Sequence, residues 1–271
     1  MCIRDRYKST LLTKMFLTAA WFTFKRMPRI LMLILLLISV FLLSFLLLGC
    51  SSKASTYSSI YLIRYQFNKS SSLYPLIKSS YKNKNLTNYE NLKVTSGYLG
   101  LCIHLDDEIT CTSKSDLSQF GSTSIPLYTS GSNSTSTQLD LVSLGSHFSN
   151  NINHPYILIA TIVLTLILLL SLLYVAIPGL PAKPMVNKFN LALAPITTLI
   201  WGLGSMWAHV AQRAGKQLVE EASMNIVMAH IGRKAGAMTW TPFTFLCIVA
   251  IGVMMLHLRD LRRQIQEVDP K

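Results

Sequence analysis

The stretch PYILIATIVLTLILLLSLLYVAI, residues 155–177, carries no charged side chain and is long enough to cross a bilayer. A hydrocarbon core about 30 Å thick needs roughly 20 helical residues. Three further apolar runs, residues 30–48, 191–208 and 238–256, also lack Asp, Glu, Lys and Arg. The sequence therefore predicts a polytopic membrane protein with four transmembrane helices.

Composition supports a membrane protein and argues against nucleic-acid binding. The chain is 51% hydrophobic and only 14% charged, yet its formal net charge is +13. The basic residues gather at the ends of the apolar runs, and no basic stripe with interleaved aromatic residues is present. We therefore expect the lipid bilayer to be a partner and no nucleic acid to be bound.

The distribution of basic residues predicts that both termini are cytoplasmic. With this orientation, eight basic residues flank the helices on the cytoplasmic side and five on the outer side. The second outer loop is an exception, because it contains Arg213, Lys216, Arg233 and Lys234. The predicted segments are a cytoplasmic N-terminus (1–29), transmembrane segments (30–49, 155–177, 191–209 and 238–258), an extracellular domain (50–154), a cytoplasmic loop (178–190), an extracellular loop (210–237) and a cytoplasmic tail (259–271).

Two short strings in the first 52 residues resemble a sequencing artefact and a lipid-attachment signal. The opening MCIRDR resembles translated adapter sequence, so we expect residues 1–14 to be artefactual and Met15 to be the start. The string LLLGCSS resembles a lipoprotein box with Cys50 as the acylated residue. Three further spans follow it, which favours an ordinary cysteine at the membrane edge.

Three glycosylation sequons begin at Asn68, Asn85 and Asn133, and all of them lie in the large polar loop. Glycosylation takes place outside the cytosol, so their position agrees with the orientation predicted from charge. The large loop is therefore predicted to be extracytosolic and glycosylated.

The large loop also contains strand patterns. SSIYLIRYQFN, NLKVTSGYLGLCIHL and EITCTS are rich in β-branched and aromatic residues and are each predicted to form a strand. The spacing of Leu139, Val142, Leu144 and Phe148 predicts an amphipathic helix that leads into the second span. The predicted fold is a four-helix transmembrane bundle with a small strand-rich domain.

Two cysteines in this domain, Cys102 and Cys111, enclose eight residues. In an oxidising compartment they are expected to form a disulfide, and adjacent strands joined by a turn bring such residues within bonding distance. A zinc site needs more ligands than His104 adds, and a redox pair favours the C-x-x-C spacing. A disulfide is therefore the favoured interpretation.

The acidic run Asp106, Asp107 and Glu108 lies between these cysteines. Carboxylates are hard oxygen ligands that suit Ca²⁺, but calcium loops place them at alternate positions rather than consecutively. A solvated turn is the favoured interpretation, with a weak calcium site as the alternative. No other cofactor is expected.

Neither an enzyme nor a stand-alone transporter is predicted. No nucleophile motif or catalytic cluster is visible, and the apolar runs contain none of the ionisable residues that usually mark ion pathways.

An ordered series of strings resembles the fungal calcium-regulator and membrane-fusion family induced by mating pheromone, a claudin-like group of four-span proteins. The resemblance covers about residues 21–263. The strings are KRMPRI (25–30), LLLGC (46–50), SGYLGLC (96–102) with Cys111, IPLY (125–128), HPYILIATIVLT (154–165), VNKF (186–189), WGLGSMWAHV (201–210), SMNI (223–226) and GRKAGAMTW (232–240).

The resemblance implies a plasma-membrane protein that supports pheromone-stimulated calcium influx and the fusion of mating cells. It implies partners among the membrane proteins of that machinery, and homo-oligomers are a further candidate assembly. It assigns Gly97, Gly100, Leu101, Cys102 and Cys111 to the signature of a claudin-like extracellular domain. An accessory regulator of calcium influx is the leading expectation; the alternatives are an adhesion or fusion scaffold and an oligomeric calcium pore.

Overall fold

A computed structural model describes residues 27–83, 89–106, 108–113, 125–127, 137–152, 154–177, 179 and 181–268. Its helices are α1 (Met27–Leu47), α2 (Ser55–Ser58), α3 (Tyr74–Asn83), α4 (Leu141–His147), α5 (Tyr156–Ala176), α6 (Lys183–Ala222) and α7 (Arg233–Val268). Its strands are β1 (Ile63–Phe67), β2 (Lys93–Ser96), β3 (Gly100–Leu105), β4 (Glu108–Ser113), β5 (Ile125–Leu127), β6 (Thr137–Leu139) and β7 (Val227–Ile231).

Four of the helices, α1, α5, α6 and α7, are long and apolar enough to cross a membrane. They expose large apolar side chains, such as Leu170, Leu199 and Leu203, which are 62%, 69% and 72% exposed. A helix that is apolar on all sides and exposes leucine side chains is suited to contact with lipid. The chain is therefore a multi-pass membrane protein, as the apolar runs predict.

Two of these helices continue well beyond the apolar runs. α6 begins at Lys183 and ends at Ala222, whereas the predicted span covers residues 191–209. α7 begins at Arg233 rather than at residue 238 and ends at Val268. Hydropathy locates only the part of a helix that lies in lipid, while strong helix formers such as Lys, Gln, Leu and Glu continue it into water. The membrane boundaries within these helices stay predictions.

The described residues fold into two compact units, and the first comprises those within residues 27–39, 164–198 and 245–268. Its helix segments are joined by a few specific contacts. The Ser171 hydroxyl donates to the Asn190 side-chain oxygen, which links α5 to α6. The Thr198 hydroxyl donates to the Leu246 carbonyl at 3.3 Å, which links α6 to α7.

The second unit comprises residues 40–163 and 199–244 and contains the strands. Five strands form an antiparallel sheet in the order β4-β3-β2-β1-β7, and β5 pairs with β6 separately. In β1 the side chains of Ile63, Tyr65 and Phe67 are buried and alternate with partly exposed ones. Residues of α4 pack on the buried side of the sheet, where the Ser96 hydroxyl donates to the Gly145 carbonyl at 3.2 Å.

The large loop alone does not complete this sheet. β7 comes from residues 210–237, which the sequence pattern predicts to be a loop, and it pairs with β1 from Ile63↔Ile231 to Phe67↔Val227. The Gly232 N–H extends the ladder by donating to the Leu62 carbonyl at 3.0 Å. The strand-containing domain is therefore built from two segments that are distant in the sequence.

The stretch NLKVTSGYLGLCIHL is strand-forming as predicted, and it contains two strands, β2 and β3. The chain reverses between Ser96 and Gly100, so that β2 and β3 pair antiparallel. The predicted helix is confirmed from Leu141 onward by α4, whose first turn is capped by the Asp140 carboxylate at 2.9 Å from the Val142 nitrogen. Leu139, which the prediction placed in the helix, lies in β6. The claudin-like character of the domain stays a prediction.

Candidate functional site

Gly97 and Gly100 close the turn between β2 and β3, and residues 49–50 lie directly against them. The Gly97 N–H donates to the Gly100 carbonyl at 2.9 Å. A Cβ on Gly97 would lie 2.3 Å from the Gly49 oxygen, and one on Gly100 would lie 2.2 Å from the Cys50 oxygen. Only glycine allows two backbones to approach this closely. The two signature glycines therefore let the segment after α1 pack on the hairpin.

Leu101 anchors the opposite side of the same hairpin. Its side chain is 1% exposed, and a Cβ on Gly145 of α4 would lie 2.8 Å from its Cδ1 atom. The Ser149 hydroxyl donates to the Gly97 carbonyl at 3.2 Å and adds a second tie. The hairpin is thus held between residues 49–50 on one face and the α4 region on the other.

Cys102 and Cys111 form a disulfide that joins β3 to β4. The two residues are direct cross-strand partners, with their Cα atoms 4.0 Å apart. Cys102 is fully buried and Cys111 is partly exposed, so the covalent link joins the interior of the domain to its edge strand β4. The structure thus brings all five signature residues together in β3, the turn before it and the strand beside it.

Cys50 is a free cysteine that belongs to the same packing arrangement. Its thiol is fully buried and donates to the Ile60 carbonyl at 3.4 Å. Burial raises the pKa of this thiol to about 12, despite a hydrogen bond to Thr95 and the nearby Arg64, which both act in the opposite direction. A thiol with so high a pKa stays protonated and unreactive near neutral pH.

The acidic run occupies the turn between β3 and β4. Asp106 has a left-handed backbone with φ 50°, and Glu108 begins β4 opposite Leu105. Asp107 lies outside the described residues. Within the described ranges, no group of three or more His, Cys, Asp or Glu side chains is placed to hold a metal ion. Calcium attraction by this run stays a prediction.

A polar groove of about 600 Å³ adjoins the turn and includes Glu90, Lys93, His104 and Asp106 in its walls. The His104 Nε2 atom is 3.2 Å from the Thr95 hydroxyl oxygen. Burial lowers the pKa of His104, and the positive charges of Arg64 and Lys93 lower it further. The walls of this groove therefore contain both carboxylates, Glu90 and Asp106, and ammonium groups, Lys69 and Lys93.

The predicted glycosylation sites are only partly described. The Asn68 side-chain nitrogen donates to the Asn225 carbonyl at 2.9 Å, and its oxygen accepts from the Ser70 N–H at 3.0 Å. Asn85 and Asn133 lie outside the described residues. Glycosylation at all three positions stays a prediction.

Sequence reasoning misses the residues that receive the hairpin. Gly49 and Cys50 are 47 or more positions away from Gly97, and Gly145 is as far away on the other side. The LLLGC string is part of the resemblance and marks Gly49 and Cys50, but it assigns no role to them. Their role becomes visible only through contacts between distant segments.

Comparison with known proteins assigns the chain to a family. The profile of the family described as "Ca2+ regulator and membrane fusion protein Fig1" matches residues 78–259. The Factor-induced gene 1 protein of Saccharomyces cerevisiae is 38% identical over 273 residues, which cover 92% of this chain and 90% of that protein. The chain therefore belongs to the Fig1 family of calcium regulators and membrane-fusion proteins.

Proposed function

We propose that the protein is a plasma-membrane regulator of calcium influx and cell fusion during fungal mating. It acts as an accessory four-span protein with membrane partners in the calcium-influx or fusion machinery. The observation that carries this proposal is the family match over most of the chain, together with an intact signature hairpin that is buried and cross-linked. The strand-containing domain is the part available to such partners.

The proposed orientation places this domain outside the cell and both termini in the cytoplasm. A disulfide between Cys102 and Cys111 supports it, because disulfides persist in oxidising compartments. The three sequons and the basic residues at the opposite helix ends support the same orientation.

The described parts of the spanning helices favour a regulator over a single-subunit pore. Several buried hydroxyl groups in these helices each donate to the carbonyl four residues earlier, at 2.8–2.9 Å: Ser39, Thr161, Thr197 and Thr239. These hydroxyls donate within their own helices, and the apolar runs contain none of the ionisable residues that usually mark ion pathways. A calcium pore formed by several copies remains the second candidate, and a fusion scaffold that changes calcium entry indirectly is the third.

We expect a Cys102→Ser variant to lose most pheromone-stimulated calcium uptake in mating-competent cells that express it as their only family member. The substitution breaks the disulfide and places a hydroxyl in a fully buried position. Uptake is measured before cells touch, and fusion is scored separately in mixed cultures. Cys247→Ser is the matched control, because Cys247 is free and lies in α7.

A second variant tests the acidic run, with Asp106→Asn, Asp107→Asn and Glu108→Gln combined. It is expected to keep calcium uptake, because consecutive carboxylates lack the alternate spacing of a calcium loop and a solvated turn is the favoured interpretation. Normal uptake with failed fusion in the Cys102→Ser variant would contradict the regulator and support the scaffold. Calcium flux through the purified protein alone, after reconstitution in vesicles, would instead support the oligomeric pore.

A further inference from the structure

Basic side chains from three separate elements converge on a groove of about 490 Å³ at the edge of the sheet. Arg64 comes from β1, His230 from β7, and Arg233 and Lys234 from the first turn of α7. Arg64 and His230 are paired in the ladder between β1 and β7. These four residues, with Ser59 of the adjoining segment, are called the basic groove below.

Two of these basic side chains contact neutral groups. The Arg64 guanidinium lies over the Tyr61 ring, 4.5 Å from its centroid. The Lys234 Nζ atom donates to the Ser59 hydroxyl at 3.1 Å. Both contacts leave the positive charges unneutralised, because the Tyr61 ring and the Ser59 hydroxyl are neutral.

The lining of the basic groove contains no acidic side chain among the residues that the structure describes. The ion pair found within 4.0 Å is elsewhere, between Lys78 and Glu90. Two arginines and a lysine around one groove match an anion with several oxygen atoms, because guanidinium groups bind such anions through paired hydrogen bonds.

The predicted start of the fourth span places the basic groove near the level of lipid headgroups. Arg233 precedes the apolar run that begins at Met238 by five residues, which is about 7.5 Å along a helix. The headgroup region on each side of the hydrocarbon core is about 5–8 Å thick. Arg233 and Lys234 also belong to the second predicted outer loop. This loop is rich in basic residues, although such residues are usually more frequent on the cytoplasmic side. Binding of an anion by the groove explains why basic residues occur in this outer loop.

We propose that the basic groove binds the phosphate of an anionic phospholipid headgroup, on the membrane surface that carries the strand-containing domain. Arg64 and Arg233 provide paired donors to the phosphate oxygens, and Lys234 adds a third positive charge. This contact ties the β1–β7 edge of the sheet and the start of α7 to the same lipid. The proposal stands on the groove alone and does not require the calcium role.

The test uses the full-length protein in a neutral detergent and follows thermal unfolding as lipid is added. Phosphatidylglycerol is expected to stabilise the protein, because a ligand that binds only the folded state raises the unfolding temperature. A diacylglycerol with the same acyl chains, which lacks the phosphate, is expected to give no such shift. The combined Arg64→Gln, Arg233→Gln and Lys234→Gln variant should weaken apparent phosphatidylglycerol affinity about 100-fold, or roughly fivefold per charge.

The matched control removes three exposed positive charges elsewhere, with Lys53→Gln, Lys82→Gln and Arg213→Gln combined. It should retain the affinity of the unmodified protein, whereas equal losses in both triple variants would overturn the proposal. If inorganic phosphate alone stabilised the protein as much as phosphatidylglycerol does, the proposal that the groove binds a lipid headgroup would be wrong. If the first triple variant fails to fold, the single Arg233→Gln variant carries the test with a roughly fivefold expected loss, since Arg233 is exposed.

Discussion

Replacing Gly100 with alanine is expected to destabilise the protein by about 3 kcal/mol, at the upper end of the cost of overpacking. The new Cβ would lie 2.2 Å from the Cys50 oxygen, 2.9 Å from the Cys50 carbonyl carbon and 3.0 Å from the Thr112 oxygen. All three atoms belong to backbone, so no side-chain rotation relieves the clash. Residues 49–50 would have to separate from the hairpin.

Thermal unfolding of the full-length protein in detergent measures this effect. Gly236→Ala is the matched control, because a Cβ on Gly236 would meet no atom within 4 Å. Gly236 lies inside α7, where alanine is preferred over glycine by about 0.5–1 kcal/mol. The two substitutions should therefore shift stability in opposite directions. A neutral Gly100→Ala variant would show that residues 49–50 are not packed against the hairpin.

The four spanning helices were predictable because hydropathy is a property of consecutive residues. An uncharged stretch such as residues 155–177 needs no knowledge of distant contacts to be recognised. The ends of α6 and α7 were not predictable in the same way, because helix formation continues past the membrane surface wherever the residues permit it. Hydropathy therefore indicates which helices are apolar enough to cross a membrane, but not where those helices begin and end.

The sheet was only partly predictable because its pairing is not local. β3 and β4 are joined by a short turn, and their cysteines mark the register in the sequence. β7 has five residues and lies more than 150 positions from its partner β1, so nothing in its own pattern indicates the pairing. Likewise, the spacing of Gly97 and Gly100 identifies a signature, whereas the need for glycine arises from the backbone of residues 49–50.

Removing the disulfide with the combined Cys102→Ala and Cys111→Ala substitutions is expected to cost about 2–3 kcal/mol, since the cross-link closes a short loop. The single Cys102→Ser substitution should cost about 1–3 kcal/mol more, because it also buries a hydroxyl at a fully buried position. Cys111→Ser breaks the same bond at a partly exposed position, so its cost should lie closer to that of the double alanine variant.

A reducing agent separates the role of the cross-link from the role of the side chains. Reductant should lower the unfolding temperature of the unmodified protein and of Cys247→Ala, a control at a free cysteine, by similar amounts. It should leave the double alanine variant unchanged, because that variant has no disulfide between β3 and β4 to lose. An equal fall in the double variant would mean that reduction acts elsewhere. The bond between Cys102 and Cys111 would then not be what stabilises the signature hairpin.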